Sequence, residues 1–198
     1  MAEAKEGGAV LLDLRSPEAF AGAFIPDSIA MPASMVPAYA GYLLGYDQDL
    51  VLIAESDEQV ETATLHLIRI GYDRIVGHLK GGMHAWETSG KQYDRIGAVH
   101  AGTLQKRLRE GDDFTLLDVR QIDEVKQGRL EGSTHIFLGE LVERLDEIDR
   151  DKPVVTFCGS GQRAIIAASI LKGHGFEQVE DSLGSMQACR SIGCEIIE

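Results

Sequence analysis

Short apolar runs recur along this chain, each closed by polar residues, and helix-period segments stand between them. Leu11-Leu12-Asp13-Leu14-Arg15 is a strand-length run ending in charge, and the same phrase returns as Leu116-Leu117-Asp118-Val119-Arg120. Further echoes follow in order: Val51-Leu52-Ile53-Ala54 with Val155-Thr156-Phe157-Cys158, then Gly71-Tyr72 with Gly175-Phe176. The last is Gly81-Gly82-Met83-His84-Ala85-Trp86 with Gly184-Ser185-Met186-Gln187-Ala188-Cys189. The offsets are 105, 104, 104 and 103 residues, so two short deletions separate the copies. A period this long predicts two tandem domains, because solenoid and blade repeats run ~20–50 residues. Strands alternating with helical patterns predict an α/β fold with mostly parallel sheets flanked by helices.

In the second copy the pattern predicts a helix over 101–110, a strand over 115–119 and a helical turn over 123–128. A helix over 138–148 follows, with apolar residues at 138, 141, 142, 145 and 148; next come a strand over 154–157 and a helix over 161–173. The final strand is expected near Gln178-Val179. The polar, glycine-bearing segment 89–94 marks the boundary, giving domains 1–92 and 93–198. The second copy has room before its Leu-Asp-Val-Arg phrase for an extra strand and helix. The first has only a short acidic lead, which we read as the C-terminal part of a longer protein with an uncovered apolar face.

The chemistry concentrates in Cys158-Gly159-Ser160-Gly161-Gln162-Arg163, between the β-prone run Val154-Val155-Thr156-Phe157 and an apolar helical run. That places a thiol at a strand's carboxyl end and a helix's mouth, where unpaired N–H groups and the helix dipole favour an anion. Gly159 and Gly161 allow a nest of inward-pointing amides. Arg163 adds a permanent charge, to bind an anionic donor or to shape the loop. In the first copy the aligned loop reads Ala54-Glu55-Ser56-Asp57-Glu58-Gln59. It has no nucleophile and neither glycine, and its three acids stand where an anion would sit. The first domain is expected to be catalytically inactive.

These residues resemble a rhodanese sulfurtransferase domain. The likeness rests on the Asp-Val-Arg strand end, the Gly-Arg-Leu-Glu-Gly-Ser segment (128–133), the Cys-x-x-Gly-x-Arg loop and the closing Gly-Ser-Met-Gln-Ala segment. The first copy is similar through residues 13–20, 24–29 and 81–86, so the resemblance covers nearly the whole chain. It implies a sulfurtransferase in which Cys158 becomes a persulfide, taking sulfur from thiosulfate or a low-molecular-weight persulfide and passing it to a thiophilic acceptor. Gly159, Ser160, Gly161, Gln162 and Arg163 would bind the substrate, with Asp118 and Arg120 in support. A six-residue loop is implied to favour sulfur over phosphate, since the related phosphatases use one residue more. Ala164 stands where the family often has Ser or Thr, which removes a hydroxyl from the loop. Residues 38–47 look like the first rhodanese unit of fusions with an N-terminal metallo-β-lactamase-like hydrolase, some of them persulfide dioxygenases. The hydrolase's histidine cluster is not in this chain. A second expectation is a rhodanese-fold interaction or regulatory module with little turnover.

Composition narrows the partners. The chain has 198 residues and a formal net charge of -13, which argues against nucleic acid or an anionic membrane surface as a partner. No apolar run reaches the ~18 residues that cross a bilayer, and the polar start is not a secretory signal. Three cysteines are sparse for a disulfide scaffold, so a reducing cytoplasm is expected, with Cys158 free to react. Cys189 and Cys194 are expected to be structural. His135 and His174 are read as packing or surface residues, and no metal or cofactor is implied.

Overall fold

The computed structural model describes residues 7–197, and the chain divides into two compact units between Arg95 and Ile96. That division lies three residues beyond the boundary drawn from the sequence. The reason is local: Asp94 exchanges backbone hydrogen bonds with Phe24, which keeps the segment 89–94 in the first unit. The acidic lead, residues 1–6, falls outside the described residues. No helix among the described residues is long and apolar enough to cross a membrane.

In chain order the first unit holds β1 (Val10–Asp13), α1 (Pro17–Gly22), β2 (Ile29–Ala30), α2 (Val36–Leu43), β3 (Leu50–Ile53), α3 (Asp57–Arg69), β4 (Ile75–His78) and α4 (Gly82–Thr88). Its sheet runs β2-β1-β3-β4, all parallel. β3 is central and covered on both faces, so all four of its residues are apolar and buried rather than alternating. α1 and α3 start where side chains satisfy their first amides: Ser16 accepts from Ala19 N–H and Ser56 from Gln59 N–H.

The second unit holds β5 (Gly97–Val99), α5 (Ala101–Glu110), β6 (Thr115–Asp118), α6 (Ile122–Val125), β7 (Arg129–Leu130), β8 (Thr134–His135), β9 (Val154–Phe157), α7 (Gln162–Gly173), β10 (Val179–Ser182), α8 (Ser185–Ile192) and β11 (Ile196–Ile197). Its main sheet is parallel in the order β5-β10-β9-β6-β8, with an antiparallel pair β7–β11 beside it. The repeat is therefore structural: β2-β1-β3-β4 corresponds to β8-β6-β9-β10. The extra strand and helix expected before the second Leu-Asp phrase are β5 and α5. β5 covers the edge of β10, whereas β4 has β3 as its one strand partner among the described residues and leaves Val76 exposed.

Two expectations need correction. Residues 138–148 do not form an α-helix: Leu138–Glu147 is a run of 3₁₀ turns with a kink at Arg144. Gly139 weakens the first turn, no side chain caps it, and the three-residue spacings 138/141 and 145/148 suit a period of three. The strand at 179 is not the last, since β11 returns to pair with β7. α7 is buried from Ala164 to Leu171, its alanines allowing neighbours to approach from every side.

Candidate active site

β9 ends at Phe157, and Cys158 is the next residue, with none of its surface exposed. The chain then turns through Gly159 and Ser160 to Gly161, which caps α7 at φ 99°, a left-handed conformation that glycine adopts without strain. Gly161 N–H donates to Cys158 Sγ at 3.1 Å. The loop's carbonyls are drawn the other way: Cys158 C=O accepts from Met186 N–H at 3.0 Å and Gly159 C=O from Gln187 N–H at 2.9 Å. With its acceptors tied to the first turn of α8, the loop presents donors to the sulfur. The amides of Gly159 and Ser160 have no hydrogen-bond partner among the described residues and stand available to an anion.

Cys158 N–H is held separately. It donates to Ser185 Oγ at 3.1 Å, and that hydroxyl donates to Ser182 C=O at 2.7 Å. Ser185 has a φ of 43°, unusual for a residue with a side chain. Over the loop lies an ion pair: Arg163 reaches both oxygens of Glu124 at 2.5 and 2.7 Å, and a Cβ on Gly159 would meet the Arg163 guanidinium at 3.0 Å. Hydrogen bonding from Arg163 holds the Glu124 carboxyl below its usual range. A cavity of about 270 Å³ opens beside Gly159, lined by Arg120, Glu124, Gln127, Met186, Gln187 and Arg190.

The rhodanese-like domain family matches residues 1–89 and 100–191. The chain belongs to the rhodanese-like family. Among curated relatives, the putative sulfurtransferase YtwF of Bacillus subtilis is 30% identical over 91 residues, 46% of this chain and 88% of that one. The sulfurtransferase of Allochromatium vinosum is 28% identical over 102 residues, covering 52% of this chain and 95% of the relative. The putative sulfur carrier protein YrkF of B. subtilis is 29% identical over 108 residues, 54% of this chain; the match spans 56% of YrkF's own length. Among solved structures, a rhodanese-related protein of Thermoplasma volcanium gives a TM-score of 0.48 at 26% identity, over 52% of this chain and 98% of that one.

The first rhodanese-like unit carries the same loop in a filled form. Gln59, aligned with Arg163, folds its side chain back so that Oε1 accepts from Glu55 N–H at 2.9 Å and Nε2 donates to Leu14 C=O at 2.7 Å. The amide that follows the position of Cys158 is thus already satisfied by a side chain. The loop lacks a thiol, and part of its anion-binding capacity is occupied from within.

The structure brings Asp118 and Arg120 beneath the site but joins them to each other. Arg120 Nε donates to both carboxylate oxygens of Asp118 at 2.9 and 3.0 Å, and its far nitrogens reach Glu124 C=O at 3.3 Å and Gly128 C=O at 3.0 Å. Asp13 and Arg15 repeat this in the first unit, with Arg15 reaching Ala19 C=O at 3.3 Å and Ala23 C=O at 2.7 Å. A brace present beside a loop with no nucleophile belongs to the fold of a rhodanese-like domain. Two site residues escaped the sequence reading. Glu124 could have been found as the acid of the Gln121-x-x-Glu124 capping box on α6. Ser185 stood in the closing Gly-Ser-Met-Gln-Ala segment, where the first copy has Gly82, but nothing there pointed to Cys158 as its partner.

The remaining candidates lie elsewhere. His135 Nε2 bonds Arg120 C=O at 2.7 Å and His174 Nδ1 bonds Ile170 C=O at 2.8 Å. Cys189 and Cys194 belong to the core, at the two positions joined by the backbone bond from Cys194 N–H to Cys189 C=O that closes α8 after Gly193. Burial, with a hydrogen bond to Cys194, pushes the Cys189 thiol up to about 12.

Proposed function

We propose that the second unit is a sulfurtransferase that carries sulfane sulfur on Cys158. The observation that supports this most is the Gly161 N–H aimed at Sγ from 3.1 Å, within a loop whose carbonyls are bonded outward. Negative charge on the thiolate, or on the outer sulfur of a persulfide, would meet donors already in place. The Cys158 thiolate attacks the outer sulfur of thiosulfate or of a low-molecular-weight persulfide. The Cys158 S–S bond forms as the donor's S–S bond breaks, and sulfite or a thiolate leaves with the electron pair. A thiophilic acceptor such as cyanide, sulfite or a thiol then attacks the outer sulfur, and the Cys158 thiolate leaves. Gly159, Ser160, Gly161 and Gln162 line the anion's path. Arg163, paired with Glu124, shapes the loop and contributes little net charge to it.

Three unpaired cysteines, at 158, 189 and 194, suit a reducing compartment such as the cytoplasm. We further propose that the pair of units works beside a metallo-β-lactamase-like, sulfur-handling hydrolase, a reading that rests on the likeness of residues 38–47. One observation favours a second reading. Cys158 has no exposed surface, which suits a carrier or regulatory module that holds sulfur and turns over slowly.

Mass spectrometry tests the first reading. Thiosulfate or glutathione persulfide should add about 32 Da to Cys158, with no gain in Cys158→Ala. Unmodified protein under both donors would rule it out. Loading followed by negligible turnover with cyanide, sulfite and thiols would favour the second.

A further inference from the structure

Arg120 and Arg190 line the cavity beside Gly159 and Arg163 pairs with Glu124 in its wall, and their charges are not equally available. Arg120 is buried against Asp118, and Arg163 is bidentate on Glu124, the one carboxylate in the lining of the cavity beside Gly159. Glu124 has little left to offer a second cation, since its Oε2 also accepts from Gln121 N–H. Arg190 differs. It is exposed, lines the same cavity, and has no ion-pair partner among the described residues.

Its position is fixed by α8. Met186 and Gln187 give their amides to the Cys158 loop, and one turn of helix later Arg190 stands on the face they share. Its guanidinium thus rises beside Gln187 and Gln127 from the helix that holds the loop. On a chain of net charge -13, an anionic donor approaches against the overall field. An uncompensated guanidinium at the mouth reverses that locally and offers a planar fork to a sulfonate or carboxylate.

We infer that Arg190 is the specificity residue of this site: it binds the anionic end of the sulfur donor while the outer sulfur meets Cys158. The inference rests on the sulfur-transfer reading for its chemistry and extends it to a substrate class, sulfane sulfur compounds that carry a sulfonate or a carboxylate. Persulfides that lack such a group reach Cys158 without this help.

Sulfur loading of Cys158 would be followed for the full chain, Arg190→Gln, Arg190→Lys and, as a control for loss of one charge elsewhere, the exposed Arg109→Gln. The donors are thiosulfate, glutathione persulfide and 2-hydroxyethyl persulfide, which carries neither a sulfonate nor a carboxylate. In Arg190→Gln the ratio of kcat/KM for a donor with a sulfonate or carboxylate over 2-hydroxyethyl persulfide should fall roughly tenfold, chiefly through KM, as expected for loss of a charge-assisted hydrogen bond. Arg190→Lys should recover part of it and Arg109→Gln should leave the ratio where it was. A fall for thiosulfate alone assigns a sulfonate partner, and a fall for glutathione persulfide alone assigns a carboxylate. An unchanged ratio, or an equal fall in Arg109→Gln, overturns the inference. A binding titration of thiosulfate into Cys158→Ser, with and without Arg190→Gln, separates the two claims. If no donor loads the wild type, sulfur transfer fails; Arg190-dependent binding then keeps the anion site, and binding that ignores Arg190 removes it.

Discussion

Ser185 shows how much a single hydroxyl holds at this site. It occupies the left-handed region at φ 43°, which costs a residue with a Cβ about 1 kcal/mol. Its Oγ accepts the buried N–H of Cys158, the proposed sulfur carrier. Ser185→Ala keeps the backbone strain and orphans that N–H, so a loss of about 1–3 kcal/mol is expected. Ser185→Gly orphans the same group but relieves the strain, so it should be the milder by roughly 1 kcal/mol. Urea unfolding of the two variants checks the order, and a Ser185→Ala protein as stable as wild type would remove the role assigned here. The placement of Cys158 was legible in the sequence because it is set locally: a strand, two glycines and a helix start within a few residues. Ser185 was not, because its partner lies 27 positions away and its φ is imposed by tertiary contacts.

Cys189 makes the opposite case, a thiol kept inert. Its pKa, raised from an ordinary 9.0 to about 12, leaves it protonated at pH 8. Maleimide treatment of the native chain at that pH should therefore leave Cys189 unlabelled until denaturant is added. The raised value also sets a sign for stability. The folded state binds this proton more tightly than the unfolded chain, so the contribution is complete below pH 9 and is lost as the pH climbs from 9 towards 12. Both effects should vanish in Cys189→Ala, whose cost would be that of a packing change alone.

At the scale of elements, the Asp-x-Arg brace ties the end of one strand to the short helix that follows, and it does so twice. In each unit the arginine crosses from its aspartate to two carbonyls further along, so α1 and α6 are held to β1 and β6 by the same device. Asp118→Asn leaves a buried guanidinium without its countercharge and should cost about 3–5 kcal/mol. Asp13→Asn should cost a similar amount although its unit has no thiol. Hydrogen exchange at β6 and at β1 would measure the two separately, and a cost confined to Asp118 would argue for a catalytic role instead. The repeated Asp-x-Arg phrase was readable in the sequence at both strand ends, although a supporting role was expected only of Asp118 and Arg120. The 3₁₀ run at 138–147 was not readable as such, because its apolar positions suit periods of 3 and 3.6 alike and the choice between them fell to Gly139 and the kink at Arg144.

Acid acts on a second tie between elements. Glu124 joins α6 to Arg163 on α7, and its carboxyl is held below 4.5 by the Arg163 hydrogen bonds. A depressed carboxylate contributes fully above its unfolded value, and that contribution is lost as the pH falls through the lower, folded one. Sulfur loading should therefore survive down to about pH 5 and fail below the ordinary carboxylate range, where the roof over Gly159 opens. Glu124→Gln should show the weaker loading already at neutral pH, with little further loss on acidification.

At the scale of the molecule, one loop has been kept and its copy has been filled. The difference is more than a missing thiol, and this can be tested on the intact chain. Ala54→Cys in a Cys158→Ala background restores the nucleophile to the first unit at the end of β3. It does not restore the donors: Gln59 Oε1 already holds Glu55 N–H, and Glu55, Asp57 and Glu58 crowd the mouth with negative charge. No sulfur should appear at position 54 under thiosulfate, by the same mass measurement that reads Cys158. Adding Glu55→Gly, Asp57→Gly and Gln59→Arg rebuilds the amide nest and the cation together, and some loading should return. Loading by Ala54→Cys alone would mean that a thiol after a parallel strand suffices, and the hydrogen bond to Sγ would lose its central place in the second unit as well. If only the rebuilt loop takes sulfur, the chemistry belongs to the arrangement of donors around the thiol, and the first unit is inactive because its own side chain occupies that arrangement.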